Sequence, residues 1–186
     1  HRDLHKEYRR QRQMCIRDRH GGDLTSPIVL DWCEQFAPVI CSTGNNDPIP
    51  DPRMNEVQIL ETQGWIIGMI HSLEGQFRPI KELQKLFPKH VDIMISGHTH
   101  QERLEYREGI VLINSGSITF PQHKEVRLGT VGILEIEPKK LTVDIFPLGE
   151  TPGSPNPGSR LYLEIDDGIV ISSEGNVLLQ SDPNTK

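Results

Sequence analysis

The chain lacks any apolar run approaching the roughly 18 residues that a membrane-spanning helix needs, and its N-terminus carries no apolar signal region. Cysteine is scarce: Cys15, Cys33 and Cys41 are three in 186 residues, an odd set with no Cys-x-x-Cys pair. That pattern fits no disulfide framework, so a reducing, cytoplasmic setting is expected. An excess of positive charge is missing too. Twenty Lys and Arg stand against 26 Asp and Glu, a net charge of −6, which argues against a stable nucleic-acid partner held through phosphate contacts. Apolar residues make up only 35%, and the 16 glycines bring the total near the usual globular share of about 45%. At 21.1 kDa this is one domain of ordinary size, large enough for a core.

Charge and pattern divide the chain. Residues 1–20 hold seven Lys or Arg against three Asp or Glu, a net of +4, which leaves −10 for the rest. Residues 1–19 show neither helical nor strand periodicity and read as a disordered or non-native leader; "RRQRQMCIRDR" resembles translated sequencing adapter more than protein. From His20 the pattern is protein-like. Ser26 is expected as N-cap and Pro27 as the first residue of a helix carrying Ile28, Val29, Trp32, Cys33 and Phe36. "PVICST" predicts a strand, "VQILETQGWIIGMIH" a hairpin, and "FRPIKELQKLFPKH" an amphipathic helix between Pro79 and Pro88. "VDIMI" is the next strand, followed by hairpins around Gly109 and within 129–148. The Pro/Gly/Ser-rich stretch 150–159 reads as a linker. Residues 160–186 read as a short β-rich extension of three strands, with Asp-Gly and Gly-Asn turns. So small a ribbon must lay its apolar face on the chain's own β-rich half or on another copy in a homo-oligomer. Strand-helix-strand early and hairpins later predict a layered α/β sandwich, with the domain running from 20 to 149.

Four loops share one property. "HGGD", "GNND", "IHS" and "GHTH" each follow an apolar strand and each bring a metal-binding side chain: Asp23, Asn45, His71, His98 and His100. Ligands gather at the carboxyl ends of strands in layered α/β folds. Imidazole, carboxylate and amide oxygen together suit Mn, Fe, Zn or Ni better than calcium. Taken singly, each has a plainer explanation: a solvent-facing His71, a turn or cap carboxylate at Asp23, an ordinary turn at Asn45–Asp47. Their joint order at strand ends is what points to a metal site.

In that order the motifs resemble the calcineurin-like metallophosphoesterase superfamily, most closely its small bacterial and archaeal phosphodiesterases, relatives of the retromer subunit of the same fold. "INSGSITFP" is similar to the family's Asn-Pro-Gly-Ser loop, with Ser115 where proline is usual. The resemblance spans roughly His20 to Gly149. It implies an α/β/β/α sandwich and two divalent metal ions, manganese foremost and Ni, Fe, Zn or Mg as alternatives. Asp23 would bridge the ions, with Asn45, His71 and His98 on one and His100 on the other. It implies hydrolysis of a small phosphoester, a phosphodiester above all, by a hydroxide held between the ions. The runner-up is the same fold serving as a binding or scaffold module without turnover. A purely structural zinc domain ranks third, since Asn is an unusual ligand in closed zinc sites. Two departures stand out. Asn46 occupies the catalytic position where the family usually has His or Cys, and an amide cannot shuttle a proton. The family's leading D-x-H motif has only Asp3–Leu4–His5 and Asp18–Arg19–His20 as candidates, and neither ends an apolar strand. The first strand and helix are therefore expected to be missing, with one ion bound tightly and the second weakly.

Overall fold

The computed structural model describes residues 18–73 and 77–180. Asp3 and His5, and most of the expected leader, lie outside them. Three short parallel strands come first: β1 (Asp18–His20), β2 (Val39–Ser42) and β3 (Met54–Asn55), adjacent in that order. Helix α1 (Ile28–Cys33) joins β1 to β2 and buries Leu30 in a cluster with Val39 and Cys41. It starts one residue later than expected, with Pro27 as N-cap and no side-chain cap. Val29 N donates to Ser26 O (3.3 Å), while Pro27 O accepts from both Leu30 N (2.9 Å) and Asp31 N (3.3 Å), so Ser26 gives its carbonyl to the first turn and proline takes the first i to i+4 bond.

The larger sheet has six strands in the order β13-β7-β8-β6-β5-β4. Strands β4 (Val57–Thr62) and β5 (Trp65–Ile70) form the expected hairpin. Gln63 and Gly64 at its two-residue turn both have positive φ, 52° and 84°, the pairing that matches strand twist. Helix α2 (Ile80–Gln84) crosses back to β6 (Ile93–Ser96), which lies parallel to β5 and to β8 (Ile110–Ser115). The helix is shorter than its periodicity suggests, but Ile80, Leu83 and Phe87 still form one buried face. Strand β7 (Glu102–Arg107) pairs antiparallel with β8. Gln58 on β4 donates to Cys41 O (2.8 Å) and Arg53 O (3.1 Å), joining the small parallel sheet to the edge of the large one.

Strand β8 is buried at five consecutive positions, Ile110 to Asn114, as befits a strand covered on both faces. Ile110 and Leu112 pack under α2 with Leu83 and Phe87. Val111 and Ile113 point the other way, into a core shared with the second sheet. That second sheet is β9 (Thr130–Glu137), β10 (Lys140–Pro147), β11 (Leu161–Asp166) and β12 (Ile169–Glu174), all antiparallel. Buried Leu141, Val143 and Ile145 alternate with polar neighbours along β10, giving one packed and one solvated face. The result is a mixed α/β fold with two sheets face to face.

The C-terminal strands enter both sheets. β11 pairs with β10 from Leu161↔Ile145 to Asp166↔Lys140, and its Leu161, Leu163 and Ile165 complete the inter-sheet core. The third tail strand, β13 (Leu178–Gln180), leaves that sheet and pairs parallel with β7. Asn156, in the stretch read as a linker, donates to Gly129 O and Gly149 O, both at 2.8 Å.

Candidate metal centre

Strands β1, β2, β5 and β6 each end at one of the loops singled out in the sequence. His71 is the centre of the resulting cluster. Its Nδ1 lies 2.5 Å from Gly21 O, so that nitrogen carries the proton and donates it. The lone pair of Nε2 then faces Asn45 Oδ1 (3.0 Å), His98 Nδ1 (3.1 Å) and Asp23 Oδ2 (3.4 Å). Donor atoms of Asp23, His71 and His98 all lie within 4.8 Å of one another. A backbone carbonyl fixing the tautomer of a ligating imidazole is the usual outer partner of a metal-bound histidine. Carboxylate, two imidazoles and an amide oxygen within one ion's reach fit a divalent transition metal.

Close approach of backbone builds this pocket. A Cβ on Gly44 would collide with the carboxylate and the backbone nitrogen of Asp23, and one on Gly22 would lie 2.8 Å from His71 Nδ1. Asp23 itself has φ 60°, as His98 has 66° and His100 54°, a left-handed conformation to which Asp and His are among the better adapted side chains. The two histidines of "GHTH" sit on a tight turn in which Thr99 N donates to Gly97 O (2.8 Å), with His98 at its centre and His100 just after it. That turn separates them: His98 joins the cluster, while His100 points to the Phe120 loop, its Nδ1–H donating to Phe120 O (2.8 Å). His100 Nε2 is thus the nitrogen left with a lone pair.

Asn46 does not reach outward. Its backbone N–H donates to Asp23 Oδ1 (2.8 Å) and its side-chain amide to Asp23 Oδ2 (2.9 Å). Burial alone would raise the Asp23 carboxyl; these two bonds, with His71 and His98 nearby, outweigh it and hold it below its ordinary value. Burial lowers the His100 imidazole, against the Phe120 hydrogen bond. Two contributors escaped the sequence reading. The Asp47 carboxylate accepts from Asp23 N (2.8 Å), Gly44 N (2.7 Å) and Thr25 N (3.1 Å), stitching the first two loops together. His123 stacks on His100 with ring centroids 3.8 Å apart. Asp47 stood in a quoted motif, but its task depends on two loops meeting; nothing in the sequence marked His123. Asp18, Arg19 and His20 form the strand that leads into Asp23, and His20 Nδ1 accepts from Gly22 N (3.2 Å).

The profile of the calcineurin-like phosphoesterase superfamily domain matches residues 1–139. A protein named "Probable metallophosphoesterase" from Methanothermobacter thermautotrophicus is 36% identical over 137 residues, covering 70% of this chain and 74% of that one. A second, from Methanocaldococcus jannaschii, is 34% identical over 133 residues and is covered to 66%. This chain belongs to the calcineurin-like phosphoesterase superfamily. Among solved structures, Vps29 from Entamoeba histolytica, complexed with Zn2+, shares the fold at a TM-score of 0.63 and 23% identity, over 81% of this chain and 82% of that one. Vps29 from Chaetomium thermophilum gives 0.65 at 16% identity, over 81% of each.

Proposed function

We propose that the chain is a metal-dependent phosphodiesterase acting on a small phosphoester in the cytoplasm. The observation that carries this reading is the aim of His71 Nε2 at Asp23, Asn45 and His98 while its other nitrogen is tied to Gly21 O. Asp23, Asn45, His71 and His98 would hold one divalent ion, manganese in this reading, and Asp23 with His100 a second. Such ions, when bound, supply Lewis acidity toward water and toward the phosphoryl oxygens. The remaining work falls to the chain. Asn46 bonds both oxygens of the Asp23 carboxylate and so holds that group in one orientation, in which it would be presented to the ions. Because an amide delivers no proton, the departing ester oxygen takes its proton from solvent, and esters with acidic leaving groups are favoured. Asn45 and Asn46 are exposed, which leaves the cluster open to substrate.

Hydrolysis of bis(4-nitrophenyl) phosphate and 4-nitrophenyl phosphate with Mn2+, Ni2+, Mg2+ or Zn2+ tests the assignment. The diester should be cleaved faster, with turnover abolished by chelation and reduced more than about 100-fold in His71→Ala, since even outer-sphere partners account for 10–100-fold. The Vps29 neighbours support a second reading, a binding module on the same fold. A folded chain that holds the ion and cleaves neither ester would establish that one instead.

A further inference from the structure

His123 has no task in the reading above, and nothing in the sequence pattern pointed to it. The segment from Phe120 to His123 nevertheless grips His100 at three points. Phe120 O accepts the His100 Nδ1–H bond (2.8 Å), Gln122 N–H donates to His100 O (2.8 Å), and the His123 ring lies over the His100 ring, 3.8 Å away and inclined by 20°. His123 Nε2–H also donates to His98 O (2.9 Å), so one side chain touches both histidines of the "GHTH" turn. Phe120 closes the group, standing edge-on to His100 at 5.7 Å and to His123 at 6.0 Å. To make these contacts the backbone turns left-handed at Gln122 (φ 57°) and His123 (φ 55°), where side chains other than glycine seldom sit.

We infer that His123 is a positioning residue: stacked on His100 and bonded to His98 O, it keeps the His100 imidazole in one plane, as the Nδ1–H tautomer, with Nε2 presented to an ion. The inference rests on the reading of His100 as a ligand. A ring held at one face, one nitrogen and its own carbonyl cannot rotate to exchange its nitrogens. Removing the His123 ring frees that face and loosens the segment carrying the Phe120 carbonyl. His100 then populates the Nε2–H tautomer, which has no lone pair to offer at that nitrogen.

Imidazole 15N spectra of the full chain at pH 7.5, without metal and then with zinc alone, test this. The wild type should show His100 as a single Nδ1–H tautomer, and His123→Ala a mixture. Zinc should then act on His100 Nε2 about tenfold more weakly in His123→Ala, with the response of His71 unchanged. His123→Phe, which keeps a stacking ring, should fall near the wild type. An unchanged tautomer and zinc response in His123→Ala would overturn the inference. So would a joint weakening at His71 and His100 accompanied by a lower Tm, because the loop would then be merely structural. Zinc reaching neither ring in the wild type is a different failure: it would sink the metal reading, and this inference with it.

Discussion

His20 lies three residues before Asp23 on the strand that feeds the cluster, and its Nδ1 serves as acceptor for Gly22 N–H. Burial lowers its pKa, opposed by Asp47 and Asp23 and reinforced by His71. A histidine with a folded pKa below its unfolded value binds a proton more readily when the chain is unfolded. Its contribution is therefore complete above the unfolded value of about 6.5 and is lost as pH falls from there toward the lowered folded value. His100, lowered by burial as well, titrates in the same direction. In the presence of a chelator, Tm should decline between pH 7 and pH 5, and His20→Gln should flatten part of that slope. Identical slopes in the two proteins would show that His20 is not held neutral. Asn45, His71 and His98 could be picked out because each follows an apolar run, and Asp23 because its carboxylate follows a Gly-Gly turn. Asp47 and His123 could not, since their parts exist only once separate loops meet.

At the scale of elements, β5 shows why a strand of this fold tolerates little change. Gly68 sits at its middle, directly under the end of the α2 segment. A Cβ there would lie 2.5 Å and 2.6 Å from Phe87 ring carbons and 2.9 Å from Val91 Cγ1. Gly68→Ala should therefore cost about 1–3 kcal/mol by overpacking. At roughly 2–4 °C per kcal/mol for a chain of this size, thermal unfolding will register it. A Tm within 1 °C of the wild type would mean that Phe87 moves aside freely. Strands β4 to β11 could be read from apolar periodicity because they face a core. Strand β13 could be read as a strand from Val177 and Leu179, but not placed. All three of its residues are exposed, and its partner β7 lies in the other sheet. Helix α2 was overestimated because the apolar spacing continues through Leu86 and Phe87 after the helix itself has ended at Gln84.

For the molecule as a whole, the tail changes standing. From sequence it was a short extension whose apolar face must lie on the chain's own β-rich half or on another copy. In the structure Leu161, Leu163 and Ile165 are buried to within 3% exposure and lie in the core between the sheets. Removing residues 160–180 should therefore abolish the near-ultraviolet circular dichroism of a fixed core. Leu163→Ala alone should cost about 2–5 kcal/mol. A shortened chain that keeps a cooperative thermal transition would contradict this. No helix among the described residues is long and apolar enough to cross a membrane.

The central claim is that four loops at strand ends converge on one divalent ion. Anomalous diffraction at the zinc edge, from crystals of the full chain equilibrated with zinc, measures it directly. The account predicts a peak bonded to Asp23, Asn45 Oδ1, His71 Nε2 and His98, with zinc–nitrogen distances of about 2.0–2.1 Å and zinc–oxygen distances of about 2.0–2.2 Å. Zinc found only elsewhere on the surface, with His71 Nε2 still bonded to its protein neighbours, would contradict it.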